Sequence, residues 1–418
     1  MTSYTIEQDH FLINGVKTYE EYVNCPQKYK GLLMNARFIQ AIFDDRNNVE
    51  QFQRFGKTFS AEENTNVLIQ ALPQWYKAGL RAFTVGMQGG GTCYTICSEE
   101  INNNPFAPDG TFIDPGYLER LKKLIAAADQ QGMLVIVSMF YMGQIHRLQG
   151  NEAVMKVVKK VSNWLRDQKF TNVIIEIANE HNAKLYQNYS TLFDENGIVN
   201  LIKIARRESG GMAVGCSCTG SVYSEAIACE SDVIFLHGNG TSRQVFYNQI
   251  QKAKQVKPVR PIVCNEDSQS LMNMQVAMDA GVSWGYYNNL SKQEPPVDWS
   301  ILKGEDEFFA ERMAENLGIK QSKFTDEQVY VLHGLEPEIE MRGKRWIRLG
   351  AMYPEKIHKV EYYRNGELFE TAYDAPFSVY YVNNWLQRPV ENIEKGDIIE
   401  AVITLFDGTV ISKTEKLE

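Results

Sequence analysis

For about three-quarters of its length the chain alternates short apolar runs with stretches whose apolar positions recur at helical spacing. The run at 134–139 is apolar throughout, which predicts a strand buried on both faces. Before it, 115–131 predicts a helix, with Pro115 near its start and Gly132 just past its end. After it, Val154, Val157, Val158, Val161, Trp164 and Leu165 repeat at helical spacing and predict a helix over 151–168. The same grammar predicts strands at 37–43, 82–85, 172–175, 212–216, 233–236, 260–267 and 282–287. It predicts helices near 64–79, 197–207, 223–228, 243–256, 271–280 and 307–317. Eight strand-helix pairs in strict alternation predict an α/β chain closed as a (β/α)8 TIM barrel. A hairpin at 10–19, turning at Asn14-Gly15, is placed under its bottom.

The pattern changes near Lys320. Beyond Asp326 alternating and aromatic runs replace helical ones, with Asn365-Gly366 and Asp407-Gly408 as hairpin turns. This predicts a small C-terminal all-β sandwich of the immunoglobulin type. The expected organisation is a barrel over 1–318, a linker at 319–328 and a sandwich over 329–418 packed as a rigid appendage.

Composition narrows the function classes. The net charge of -9 and the lack of a basic cluster argue against nucleic acid as a partner. No stretch is long and apolar enough for a membrane-spanning helix. The first residues lack a signal-peptide pattern, which fits a cytoplasmic protein or a secreted one whose leader has been removed. Seven cysteines, irregularly spaced, read as buried free thiols rather than as a disulfide framework or zinc site. Gln88 to Gly91 is not followed by Lys-Ser/Thr, and reads as a close backbone approach rather than a phosphate cradle. No carboxylate/His cluster is expected to converge at the strand ends, so no metal or cofactor is implied. Oligomeric state is left open.

The chemistry is carried by two strand ends. Both Asn179-Glu180 and Asn265-Glu266 close an apolar run with a carboxylate that is costly to bury alone. In an extended strand Glu176, Ala178 and Glu180 would share one face. Two glutamates at the carboxyl ends of the fourth and seventh strands suit acid/base and nucleophile work on a glycosidic bond.

At these pairs the sequence resembles clan A of the glycoside hydrolases, over roughly residues 10–318. The segments ARFIQAIFDD, ANEHN, LHGNG and IVCNED are similar to a cellulase-like group within it. The tail segment VEYYRNGELFETAYDAPFSVYY is similar to bacterial immunoglobulin-like modules. The resemblance implies a retaining enzyme acting on a β-linked oligo- or polysaccharide, with Glu180 as acid/base and Glu266 as nucleophile. It implies Asn179 on the sugar 2-hydroxyl, His237 lining the site and Trp284 as a platform under the ring. Asn239, Gln88, Tyr141 and Asp44 complete the candidate carbohydrate-binding residues, with Tyr286 and Trp299 as further subsite walls. Two departures stand out: Asn239 occupies a position often held by Tyr, and Gly86-Met87-Gln88 one often held by Arg. Arg37, placed at the bottom of the first strand, is expected to be a poor substitute. These gaps motivate a second reading, a non-catalytic carbohydrate-binding barrel.

Overall fold

The computed structural model describes residues 1–90, 94–96, 100–336 and 340–418. Gly91, Cys93 and Cys97 of the sequence reading lie outside the described residues. The chain opens with antiparallel β1 (Tyr4–Glu7), β2 (His10–Ile13) and β3 (Val16–Lys17), turned by left-handed Asn14 and Gly15. The first parallel strand, β4, is Asn35–Arg37. A short antiparallel pair follows, β5 (Gln53–Arg54) and β6 (Lys57–Thr58).

Strand and helix then alternate: α1 (Ala61–Lys77), β7 (Ala82–Gly86), α2 (Pro115–Gln131), β8 (Leu134–Phe140), α3 (Gly150–Asp167) and β9 (Val173–Ala178). Two helices, α4 (Ser190–Phe193) and α5 (Glu195–Glu208), precede β10 (Val214–Gly215). The remaining pairs are α6 (Glu225–Glu230), β11 (Ile234–His237), α7 (Arg243–Ala253), β12 (Ile262–Glu266), α8 (Met272–Asp279), β13 (Gly285–Tyr286) and α9 (Glu305–Asn316). Local chemistry sets several boundaries. Asp114 accepts from Gly116 N and Tyr117 N at the start of α2, and Gly132, at φ 77°, ends that helix.

A six-stranded parallel sheet runs in the order β10-β9-β8-β7-β4-β13, and β11 and β12 form a second parallel pair. Backbone contacts continue this order at both ends. Asp232 N donates to Val214 O at 2.8 Å, and Val263 bridges Ser283 in parallel.

Alternation along the strands separates two apolar layers. Val173, Ile175 and Ile177 of β9 join the larger cluster, which also holds the apolar faces of the helices. Ile174 joins a smaller cluster with Leu134, Ile136, Val233, Phe235 and Val263. Phe11 of β2, fully buried, packs into that second cluster. Burying such a ring contributes about 2 kcal/mol, so the amino-terminal strands close one end of the parallel-strand assembly.

The first strand is a correction to the sequence reading. It ends at Arg37 rather than beginning there, because Ala41 N bonds Phe38 O and Phe43 N bonds Gln40 O in successive turns. Phe38 leaves the strand to pack against Trp75, Phe83 and Trp299. Arg37 is therefore at the carboxyl end of β4, not its bottom.

The remaining chain is all β among the described residues, apart from a single 3-10 turn. Antiparallel β14 (Tyr330–His333) and β15 (Arg348–Ala351) pair with each other. Then β16 (Ile357–Arg364), β17 (Glu367–Ala372), β18 (Ile398–Leu405) and β19 (Val410–Lys416) form a sheet in the order β17-β16-β18-β19. Isolated bridges hold the segment after β17, at Arg348 to Ser378 and Tyr381 to Gln387. This segment is tied to α9 by charge. Arg348 forms a bidentate pair with buried Glu305, Nε to Oε1 at 2.6 Å and Nη2 to Oε2 at 2.7 Å.

Candidate active site

Glu180 lies two residues past the end of β9, and its backbone turns left-handed at φ 53°. That conformation costs a non-glycine residue about 1–3 kcal/mol and tends to persist at functional sites. It also breaks the expected alternation. Glu176 stays buried inside, accepting from Asn265 Nδ2 at 3.0 Å, whereas Glu180 is swung outward to partial exposure. Glu180 N donates to Ser217 Oγ at 3.1 Å, which fixes the turn.

Glu266 is aimed by a different device. Leu236 faces Cys264 across the β11/β12 pair, but His237 faces Glu266, leaving Asn265 as the extra residue of a bulge. Asn265 reaches Glu176 while the adjacent Glu266 reaches Arg37. In a regular strand consecutive side chains would point to opposite faces.

These strand ends bring the charged groups together. One oxygen of Glu180, one of Glu266 and a ring nitrogen of His237 all lie within 4.8 Å of one another. His237 Nδ1 is 3.0 Å from Glu180 Oε1 and 3.7 Å from Glu266 Oε2. Arg37 Nε is 2.8 Å from Glu266 Oε2, and its Nη2 donates to Asn179 Oδ1 at 2.7 Å. Asn239 Nδ2 donates to Glu266 Oε1 at 2.7 Å. The Arg37 contact is close but off the line of a well-formed hydrogen bond, so Glu266 Oε2 is held by charge and keeps a lone pair uncommitted. Among the described residues Glu180 Oε2 and the amide nitrogen of Asn179 have no hydrogen-bond partner, and Glu180 is partly exposed.

Burial pushes the Glu266 carboxyl above its ordinary range, with Arg37 and His237 opposing and Glu180 and Glu176 adding to the rise. For His237, burial disfavours the imidazolium, but the carboxylates of Glu266 and Glu180 outweigh it and raise the pKa. Next to Glu266, fully buried Asp267 is pushed up to about 7 by burial, against hydrogen bonds from Trp284 and Asn273.

The expectation that no carboxylate/His cluster converges is thus overturned: Glu180, His237 and Glu266 have donor atoms close enough to hold a metal ion. The donor set fits one poorly, because the Arg37 guanidinium already occupies the ionic position against Glu266.

Other expected site residues fall elsewhere. Trp284 is fully buried, its indole donating to Asp267 Oδ2 at 2.9 Å and its ring packed against Tyr286 and Phe309. It presents no face to a ligand. Tyr286 and Trp299 are likewise buried. Gln88 is buried and spent on its surroundings, Nε2 on Asn104 and Oε1 accepting from Tyr141 N. Asp44 pairs with Arg120 of α2 at 3.6 Å. Tyr141 is half-buried beside Gly90. Cys25, Cys216, Cys218 and Cys264 are buried free thiols as expected, but Cys229 is exposed.

The sequence reading set Arg37 aside as a poor substitute and named Glu176 only as sharing a face with Glu180; it missed Asp267 and Tyr287, whose ring lies 5.7 Å from the Arg37 guanidinium. Of these two, only Asp267, beside Glu266, carried a positional hint. A cavity of about 560 Å³ lies away from the carboxylates, between Asn288–Asp306 and Val331–Glu336. Converging charge, not cavity size, marks the site.

No protein-family model matches the sequence, and neither does any curated protein. Similarity is found with solved structures. A candidate glycoside hydrolase of Bacteroides vulgatus ATCC 8482 matches with a TM-score of 0.51 and 12% identity, over 99% of this chain and 77% of that one. A β-glucuronidase of Parabacteroides merdae matches with a TM-score of 0.44 and 12% identity, over 99% of this chain and 50% of that one. A candidate β-galactosidase of Bacteroides fragilis matches with a TM-score of 0.46 and 10% identity, over 100% of this chain and 57% of that one. The chain thus spans about half the length of the β-glucuronidase. Among the described residues no helix is long and apolar enough to cross a membrane. The structural neighbours are glycoside hydrolases, and at this identity the likeness to the B. vulgatus protein is one of fold.

Proposed function

We propose that this chain is a retaining glycoside hydrolase acting on a β-linked oligo- or polysaccharide, on a closed (β/α)8 barrel over 1–318 with a C-terminal immunoglobulin-like sandwich over 329–418. The observation that carries the reading is the approach of the Glu180 and Glu266 carboxyls, one oxygen of each within 4.8 Å. Retaining enzymes hold this pair about 5 Å apart, whereas inverting ones leave room for a water. The separation favours direct attack.

In this reading Glu266 Oε2 attacks the anomeric carbon as the bond to the leaving oxygen breaks, and Glu180 Oε2 gives that oxygen a proton. Water then attacks the glycosyl-enzyme, Glu180 takes the proton back, and Glu266 is released. Arg37 and Asn239 hold Glu266 ionised against the burial that favours its neutral form. His237, between the two carboxyls, shares the proton of the Glu180 pair. Asn179, its oxygen fixed by Arg37, turns a free amide toward the sugar.

The motive for the non-catalytic alternative was a nucleophile without its usual neighbours. Arg37 and Asn239, both at hydrogen-bond distance from Glu266, supply it with neighbours and support the catalytic reading.

The test is a panel of aryl β-glycosides and β-linked oligosaccharides with the purified chain, followed by 2-fluoro sugar inactivators. Label on the peptide containing Glu266 is expected. Glu180→Ala should lose activity chiefly on poor leaving groups and recover it with azide, giving a β-glycosyl azide. No turnover and no label across the panel would end the reading.

A further inference from the structure

The carboxyl-terminal β segment does more than pack against the parallel strands. Between Tyr381 and Gln387, which bridge each other, the chain makes a tight turn. Trp385 N and Leu386 N both donate to Asn383 Oδ1, and Val382 N and Asn383 N both donate to Leu386 O. The turn is stiff before it meets anything else.

Its tip is gripped by three loops, each following the carboxyl end of a parallel strand. Asn384 Nδ2 donates to Gly238 O at 3.0 Å and to Thr241 O at 3.2 Å, and Asn384 Oδ1 accepts from Gly240 N at 2.5 Å. These residues follow His237 of β11 and flank Asn239, which holds Glu266. Trp385 O accepts from Tyr94 Oη, beyond β7, and from Asn289 Nδ2, beyond β13. The tip therefore sits on the rim that carries the two carboxyls.

Trp385 itself is only half-buried. Its Nε1 lies over Gly240, where a Cβ would come within 3.8 Å of it. Among the described residues that N–H has no partner, yet it is not sealed from solvent. The tryptophan indoles that do donate a hydrogen bond, Trp75, Trp284 and Trp299, are buried in the core. A rigid ring with an open donor at a site rim is what a sugar face with its equatorial hydroxyls requires.

We propose that Trp385 is a substrate-binding residue, the wall of a glycan subsite that the carboxyl-terminal segment supplies to the site, with Asn384 as the positioning residue that fixes both the ring and the Asn239 loop. This deepens the glycosidase reading and rests on it. Of the aromatic walls expected from the strand-helix repeat, Trp284, Tyr286 and Trp299 are buried and Tyr141 is half-buried, so Trp385 adds an indole face that the buried three do not offer.

The test uses the full chain with cellopentaose, mannopentaose, xylopentaose and laminaripentaose beside aryl monoglycosides. For a pentasaccharide that the wild type cleaves, Trp385→Ala should raise KM so that kcat/KM falls about tenfold more than on the aryl glycoside. Trp385→Phe should restore most of that loss, and Asn384→Ala should lower kcat on both substrates. Equal loss on both substrates in Trp385→Ala, or no loss, overturns the proposal and leaves the glycosidase reading standing. A second measurement does not depend on the alanine variant folding. In Glu266→Gln labelled with 5-fluorotryptophan, the ¹⁹F resonance assigned through Trp385→Phe should move as the pentasaccharide is titrated. A resonance that stays still while the sugar binds overturns it. A panel neither cleaved nor bound removes the glycosidase reading and this proposal together.

Discussion

Replacing Arg37 with methionine tests whether one cation sets the charge of the buried carboxyl. Arg37 Nε is 2.8 Å from Glu266 Oε2, and both side chains are nearly sealed from water. With charge centres about 4 Å apart and an effective dielectric of about 20, the pair is worth about 4 kcal/mol. Burial already raises that carboxyl in the native chain, so removing Arg37 raises it further. The sign follows from linkage. A carboxyl whose folded pKa lies above its unfolded value, about 4.3, weakens the fold as pH rises through that interval. Near pH 4 the variant should approach native stability, because Glu266 is neutral and the guanidinium is no longer buried. As pH rises the deficit should widen by up to ~1.4 kcal/mol per unit and level off near ~4 kcal/mol. His237 bounds this. Its Nδ1 is 3.7 Å from Glu266 Oε2, and Arg37 holds its pKa down, so in the variant it protonates more readily and returns part of the lost charge. Urea denaturation of native, Arg37→Met and Arg37→Met/His237→Gln chains from about pH 4 to about pH 8 reads all three, the double variant falling most steeply. A deficit that does not change with pH would refute the assignment of Arg37 as the counter-ion.

Asp267, pushed up to about 7, destabilises the fold as pH rises from its unfolded value near 4 through 7; Asp267→Asn should flatten that limb of a thermal-midpoint profile while keeping the Trp284 bond. Asn239→Ala removes a hydrogen bond to a buried carboxylate and should lower kcat roughly ten- to hundredfold on any substrate that the native chain cleaves. Gly238→Ala would place a Cβ 1.8 Å from Asp267 Oδ2, so a loss of about 3 kcal/mol or of soluble expression is expected. Arg348→Ala leaves Glu305 buried without its bidentate partner and should cost about 3–5 kcal/mol in denaturant midpoint analysis.

The strand-helix order was legible because period alone carries it: the expected helix at 115–131 matches α2 to the residue. The two glutamates were legible because a carboxylate ending an apolar run has few cheap explanations. What escaped was whatever depends on a single departure from regular geometry. The left-handed φ of Glu180 and the extra residue at Asn265 leave no period in the sequence, yet they aim both carboxyls. Trp284 was misread for the converse reason. An aromatic residue near a strand end has the same pattern whether it faces a ligand or donates to a buried neighbour, as it does to Asp267. Asn384 and Trp385 lie far along the chain from the strand-end loops they hold, so no local pattern points to them.

Why the cation comes from the first strand follows from packing at the second. Gly86 ends β7, in the stretch that departs from the arginine of the resembled enzymes, and a Cβ there would fall 2.8 Å from Gln88 O and 2.9 Å from the Ile39 side chain. The backbone after β7 folds back into the volume that a strand-two side chain would need. Gln88 is locked there by Asn104 and by the peptide N–H of Tyr141, so the loop cannot yield. Arg37 ends the neighbouring strand, paired at Thr84, and reaches the same carboxyl from one position around the sheet. A buried carboxylate needs a positive charge within a few ångström and does not specify which strand supplies it. Gly86→Arg should therefore not rescue Arg37→Met: the new side chain has no room beside Gln88 and Ile39. The double variant should be less stable than Arg37→Met alone at every pH. Recovery of the native pH profile in that double variant would show that the loop yields and that the choice of strand was not forced by packing.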